Sequence, residues 1–313
     1  MRSLLARWRK LNEWLRALVI ALLVLGVLHV FVLRWVTVQN TSMYRTLLPG
    51  DLLAVNLMAT WTGIDRNDVV VFRDPVQDDR AMANRDLLVK RVAGLPGDTV
   101  RIKAGQLYVN GERVADPPGV THSWLVRLRK EADAGALLEH LQLPPDFAPT
   151  GRNFIELPLN GAIAKDLKQL NLVTETDPMG MESGSPDHIF PYSPTFKWNA
   201  DDYGPITVPA AGDTVRIDLG RLPLFDRIIT RYEGHTLEAT RHDVLMNGEP
   251  LREYVIADDY CFVLGDSRNH SADSRYWGFL PMHHVVGRAG FILLSQDADR
   301  GTLRSDRWFK NVE

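Results

Sequence analysis

The sequence predicts a mainly β protein hung from one N-terminal membrane helix. Two observations lead there. Residues 17–33 carry no formal charge and follow a basic head. Beyond residue 51 the chain breaks into short runs rich in β-branched and aromatic residues, bounded by Gly, Asp or Asn. The 313 residues are 45% hydrophobic and 24% charged, which is a globular rather than a disordered balance. A formal net charge of −3 implies no basic face, so nucleic acid is not expected as a partner. A single cysteine, Cys261, excludes an intrachain disulfide framework and any multi-cysteine metal site.

The N-terminal segment comes first. Arg2, Arg7, Arg9, Lys10 and Arg16 stand against Glu13 alone, a local charge of +4. The run ALVIALLVLGVLHVFVL at 17–33 then spans roughly 26 Å as a helix, near the thickness of a bilayer core. Arg16 and Arg34 close it and can snorkel to the headgroups. A buried core helix and a cleaved signal peptide are the alternatives. No small-residue A-x-A site follows in VLRWVTVQNTSM, so a retained signal-anchor is expected. Its basic head would stay in the cytoplasm, and the chain after Arg34 would face the other side.

After the anchor, LLAVNLM, DVVVFRD, LLVKRVAG, TVRI and QLYVNG read as strands. Residues 131–143 and 161–170 read as short helices, and 176–205 as a long irregular connection. GDTVRI occurs at 97–102 and again at 212–217, each followed by NGE, at 110–112 and 247–249. Either turn-then-strand sequences converge on such runs, or two similar β units are built into one domain.

Several familiar signatures are absent: no G-x-S-x-G elbow, S-x-x-K, H-E-x-x-H, Walker loop or G-x-G-x-x-G. None of the nine histidines pairs at metal-ligand spacing, except adjacent His283 and His284, which cannot easily share one ion. No metal or cofactor is expected. Three segments carry a signal: QNTSMYRTLLPGD at 39–51, LLVKRVAGLPGD at 87–98 and VLGDSRNHSADSRYWG at 263–278.

In order, internal spacing and position after the anchor, these segments resemble bacterial type I signal peptidase, the membrane-anchored Ser/Lys protease that removes signal peptides. That family shows S-M-x-P-T-L-x-x-G-D, K-R-V-x-G-x-P-G-D and G-D-N-R-D-N-S-x-D-S-R-x-W-G. The likeness continues loosely through YGPITVP and VVGRA, and residues 115–200 match no motif.

The resemblance implies a signal-peptidase-like complex β fold. A catalytic β domain would comprise 37–98 with 255–300, and 99–254 would be an inserted second β domain. Residues 1–36 would be head and anchor, and 301–313 a tail. It implies Ser42 as nucleophile and Lys90 as general base. A lysine serves as base only when neutral, so its usual pKa must fall by several units. The alternation of LLVKRV puts Leu88, Lys90 and Val92 on one strand face, a desolvating setting, with Arg91 turned away.

The third segment then supplies support. Ser271 matches a serine that hydrogen-bonds the lysine amine, Asp273 and Arg275 match an ion pair, and Trp277 a large aromatic; Gly265 and Asp266 begin the loop. His270 stands where the family usually has Asn, and reads as tolerated variation rather than a Ser–His pair. Two residues depart from the pattern. Arg45 replaces a proline that pre-sets a turn. Asn40 replaces a Ser or Gly of the oxyanion hole, where its amide can still donate.

Implied partners are preproteins with small residues at the cleavage site, and the lipid bilayer. The implied location is the inner (cytoplasmic) membrane, single-pass, with the catalytic domain on the extracytoplasmic side. Ser42 lies eight residues past Arg34, at most about 26–29 Å of extended chain, so the nucleophile stays near the membrane surface. Trp61, Trp308 and Phe309 are candidates to rest on the interface. The rivals are a cytoplasmic self-cleaving Ser/Lys repressor, against which residues 1–36 argue, and a catalytically dead anchored scaffold.

Overall fold

A computed structural model describes residues 12–144, 147, 151, 153–297 and 300–312. Arg2, Arg7, Arg9 and Lys10 of the basic head lie outside them. A helix of 19 residues covers Glu13–Phe31. On it Leu18, Leu22, Leu23 and Leu25 are exposed. Among the described residues no helix is long and apolar enough to cross a membrane.

The central feature is an eight-stranded antiparallel sheet. It begins with β1 (Leu33–Thr37), β2 (Asp51–Asn56), β3 (Val69–Arg73) and β4 (Leu87–Gly94). A long strand, Val285–Asp297, sits between β2 and β3, and Tyr260–Leu264 flanks β4 on its other side. The VVVF run of β3 is apolar throughout because both faces are covered. Val69 and Val71 pack with Val36, Leu47 and Leu53, whereas Val70 and Phe72 pack with Val92, Val263 and Trp277. Three register irregularities along Val285–Asp297 bend and twist that strand, so the sheet curls rather than lying flat. Residues 301–312, set apart in sequence as a tail, are tied to this sheet. Thr302–Leu303 pairs with Val285–Asp297, and Arg307 makes a buried bidentate pair with Asp51 at 3.1 and 2.6 Å.

Residues 99–254 contribute smaller sheets. Tyr203–Thr207, Thr99–Lys103, Gln106–Val109 and Glu112–Arg113 form one. The GDTVRI echo proves local. Asn110–Gly111 and Asn247–Gly248 both turn with positive φ, and each Asn Oδ1 accepts a backbone N–H, from Thr99 and Thr236 respectively. The strands that follow Gly-Asp pair differently, however. Thr99–Lys103 pairs with Gln106–Val109, and Thr214–Arg216 with Glu253–Val255. The turn chemistry recurs, not the β unit.

The segment without motifs folds as a three-stranded sheet, His122–Leu128 between Phe154–Leu159 and Val173–Pro178. Its helices are shorter than the sequence suggests, Ala134–His140 and Gly161–Leu167, the latter capped by Asn160. Their apolar faces share one core with Tyr44 and Leu48. The inserted sheet and helices thus pack on the turn that follows Ser42. The irregular stretch 179–202 is organised by Asn199. Its Nδ2 donates to the Glu182 and Ser185 carbonyls, and its Oδ1 accepts from the Asp201 and Asp202 N–H groups.

Candidate active site

Ser42 lies on the loop between β1 and β2, in a tight turn closed by Tyr44 N–H to Thr41 O and Leu47 N–H to Met43 O, both 2.8 Å. Lys90 stands in the middle of β4, opposite Val70. The two meet: Lys90 Nζ lies 2.6 Å from Ser42 Oγ, and Nζ also donates to the Val89 carbonyl at 3.0 Å. Both residues are buried. Burial pushes the Lys90 pKa down to about 8, against the pull of the Asp273, Asp266 and Asp74 carboxylates, which favour the ammonium.

The loop after Tyr260–Leu264 passes directly beneath. Ser267 N–H donates to the Ser42 carbonyl at 3.1 Å. Asp273 caps the short helix Ser274–Trp277 and pairs with Arg275, whose Nε and Nη2 each donate at 2.8 Å. Asp273 also accepts the Gly265 N–H at 3.0 Å. Burial raises the Asp273 pKa, but the Arg275 guanidinium and the Gly265 N–H outweigh it and hold the carboxyl below its usual value. Among the described residues the buried Ser271 hydroxyl has no hydrogen-bond partner, and Lys90 bonds Ser42 and Val89 rather than Ser271. Gly265 permits the close approach. A Cβ there would lie 2.1 Å from Ser271 Oγ and 2.6 Å from the Ser42 carbonyl oxygen.

Arg91 does turn away from Lys90, but not to solvent. It is 4% exposed and makes a bidentate pair with Asp266, Nε at 2.8 Å and Nη2 at 2.7 Å. Thr46 Oγ1 donates to the same carboxylate at 2.5 Å. Asp266 therefore ties β4 to the Ser42 turn, a role that its place in Gly-Asp-Ser-Arg did not reveal. The signal lay in the lysine's own neighbour, Arg91.

The departures have structural consequences. Arg45 has φ +79°, which a proline ring fixed near −65° cannot adopt. This turn is therefore of another kind from one that begins on proline. Asn40 turns its acceptor end to Ser42. Its Oδ1 lies 2.7 Å from Ser42 Oγ and 3.2 Å from Ser42 N. His270 faces elsewhere. Its Nε2 lies 3.3 Å from Ser123 Oγ and 3.8 Å from Glu156 Oε1, and its ring meets Phe147 edge-on, so it links the loop at 265–277 to the three-stranded sheet. Trp277 packs beside Phe72, with ring centroids 6.0 Å apart. Trp61 and Phe309 are exposed, whereas Trp308 is half-buried. Among the described residues no group of three or more His, Cys, Asp or Glu side chains is placed to hold a metal ion.

The family profile described as signal peptidase, peptidase S26, matches residues 11–145 and 206–294. This chain belongs to the signal peptidase S26 family. A signal peptidase I of Bacillus licheniformis is 33% identical over 146 residues, covering 46% of this chain and 72% of that protein. A signal peptidase IB of Staphylococcus aureus (strain MRSA252) is 30% identical over 196 residues, 61% of this chain and 95% of that protein. A crystal structure of a signal peptidase I from Enterococcus faecalis V583 aligns over 72% of this chain and 96% of that one. Its 18% identity and TM-score of 0.25 are too low to carry an argument. The family match holds both segments that meet at Ser42 and Lys90. It leaves out residues 146–205, which include the strands Phe154–Leu159 and Val173–Pro178.

Proposed function

We propose that the chain is a Ser/Lys endopeptidase that removes signal peptides from exported preproteins at the outer surface of the inner membrane. The observation that carries this reading is the 2.6 Å contact between a buried Lys90 amine and the Ser42 hydroxyl, in a chain of the signal peptidase family. Neutral Lys90 accepts the Ser42 Oγ proton as Oγ attacks the scissile carbonyl. Charge gathers on the carbonyl oxygen, toward which the Ser42 N–H can donate. The Lys90 ammonium then protonates the departing amine, and the signal peptide remains as an ester on Ser42. Water, deprotonated by Lys90, hydrolyses that ester and restores the hydroxyl. Asp273, Arg275 and Gly265 hold the loop that carries Ser271 against this pair, and small residues at the cleavage site suit a nucleophile so closely walled.

Residues 17–33 act as the membrane anchor in this reading. In support, residues 17–33 are uncharged, and Leu18, Ile20, Leu22, Leu23, Val24 and Leu25 are exposed rather than packed into a core. Exposed Trp61 and Phe309 suit the interface. The working division is a catalytic unit of 37–98 with 255–300 and an inserted unit of 99–254.

The test is to incubate the purified protein with a preprotein in detergent and to sequence the new N-terminus. Cleavage after a small-x-small stretch is expected, and kcat/KM should rise with pH to a plateau with a midpoint near 8, where Lys90 loses its proton. Ser42→Ala and Lys90→Ala should each abolish cleavage while the protein stays folded, and the double variant should be no worse. Near wild-type turnover in Lys90→Ala would exclude the dyad.

A further inference from the structure

The Ser42 hydroxyl carries one proton and has two neighbours able to take it. Lys90 Nζ stands 2.6 Å away and Asn40 Oδ1 2.7 Å away. The Ser42 backbone N–H decides which end of the Asn40 amide faces the serine. It lies 3.2 Å from Oδ1 and can only donate, so an amide nitrogen at that position would set donor against donor. With Oδ1 in place, one carbonyl oxygen accepts from both the Ser42 N–H and the Ser42 hydroxyl. Lys90 then donates to Oγ, and it donates as well to the Val89 carbonyl. The three groups form a chain, Nζ–H to Oγ–H to Oδ1, in which the lysine donates to the serine instead of accepting from it, and the serine proton points away from its base.

That is a resting arrangement, not a reacting one. For attack, the hydroxyl proton must turn from Asn40 to Nζ. The Ser42 N–H, a donor suited to the developing oxyanion, must also leave Oδ1. Asn40 is exposed and lines a cleft of about 800 Å³ with Gln39, Thr41, Pro144 and Phe147, so an incoming peptide can reach it. We propose that Asn40 is a positioning residue that latches the nucleophile at rest, and that the substrate carbonyl opens the latch by taking the Ser42 N–H from it. The proposal rests on the reading of Ser42 as nucleophile and Lys90 as base.

The latch favours the protonated lysine, because a hydroxyl that donates onward is a better acceptor for the ammonium. The charged groups around Lys90 remain the same whether or not Asn40 is present. Asp266 and Asp273 come from the loop below, paired with Arg91 and Arg275, and Asp74 from the end of β3. A change at residue 40 therefore reads out on the lysine through the serine.

The experiment measures kcat/KM against pH on a peptide spanning a preprotein cleavage site, for the full chain in detergent. Asn40→Ala should move the midpoint to lower pH by about half a unit, roughly a threefold gain below the midpoint, with the plateau kept. Asn40→Asp keeps both acceptor bonds and adds a negative charge, so its midpoint should move to higher pH by about one unit. Wild-type midpoints in both variants would overturn the latch. So would an Asn40→Ala plateau lowered about 100-fold or more at an unmoved midpoint, which is the mark of a lost oxyanion donor. If Asn40→Ala does not fold, Asn40→Asp alone decides. Cleavage that survives in Ser42→Ala and Lys90→Ala would instead remove the dyad, whatever Asn40 does.

Discussion

Lys90 costs stability through its burial. Its pKa is pushed from 10.5 to about 8 by burial, so below pH 8 the ammonium is charged in both folded and unfolded chains and the full penalty applies. Between about 8 and 10.5 the unfolded chain binds a proton that the folded chain does not, and stability rises with pH. Lys90→Met should therefore be inactive and yet more stable at pH 7, by roughly 1–3 kcal/mol, with the gain shrinking toward pH 10. Thermal melts at the two pH values check this; a lower melting temperature at pH 7 would mean that the bond to Ser42 outweighs the desolvation. Arg45 makes a second case at this scale. Its φ of +79° favours glycine and forbids proline. Arg45→Gly should raise stability by about 1 kcal/mol, whereas Arg45→Pro, the residue of the family pattern, should lower it by about 3 kcal/mol or more and cut activity with it. Melting curves of the two variants should move in opposite directions.

Between elements, the site depends on two loops that touch without a side chain between them. The Ser42 loop joins β1 to β2, the loop at 265–277 follows Tyr260–Leu264, and Gly265 lies where they meet. A methyl group there would overlap Ser271 Oγ and the Ser42 carbonyl, of which the second is backbone and cannot step aside. Gly265→Ala should cost roughly 1–3 kcal/mol through forced separation of the loops, and it should lower kcat more than it raises KM, because the dyad is displaced rather than the cleft. Melting temperature and the split between kcat and KM are the measurements. A stable variant with normal kcat would show that the loops have slack.

Across the whole molecule, the three-stranded sheet and its two helices brace the Ser42 turn. Tyr44, two residues past Ser42, is fully buried in the core shared with that sheet and donates its hydroxyl to the Leu141 carbonyl at 2.6 Å. Thr121 N–H donates to the Asp266 carbonyl, and Arg268 N–H to the Thr121 carbonyl, so the insert extends the same loop that holds Ser271. Tyr44→Phe strands a buried carbonyl and should cost about 1–3 kcal/mol. It should also speed limited proteolysis within 134–144, and an unchanged melt would remove Tyr44 as a link.

Much of this is legible in the sequence itself. The uncharged run at 17–33, the strand runs and the three motif segments are each written in consecutive residues, and the strand pattern needs only the two-residue period of a pleated chain. Family membership rests on such local patterns too. What the chain alone did not disclose involves partners far apart in sequence. The burial of Arg91 depends on Asp266, 175 positions away, and the place of the insert depends on Tyr44 meeting Leu141. Residues 115–200 read as motif-free because a three-stranded sheet with two short helices needs only alternating apolar positions, not signature residues. The sequence could say that an asparagine stands two places before Ser42. Only the folded turn decides that its oxygen faces the serine, because the backbone N–H that orients the amide is aimed by the tertiary packing of that turn against the insert and the loop below.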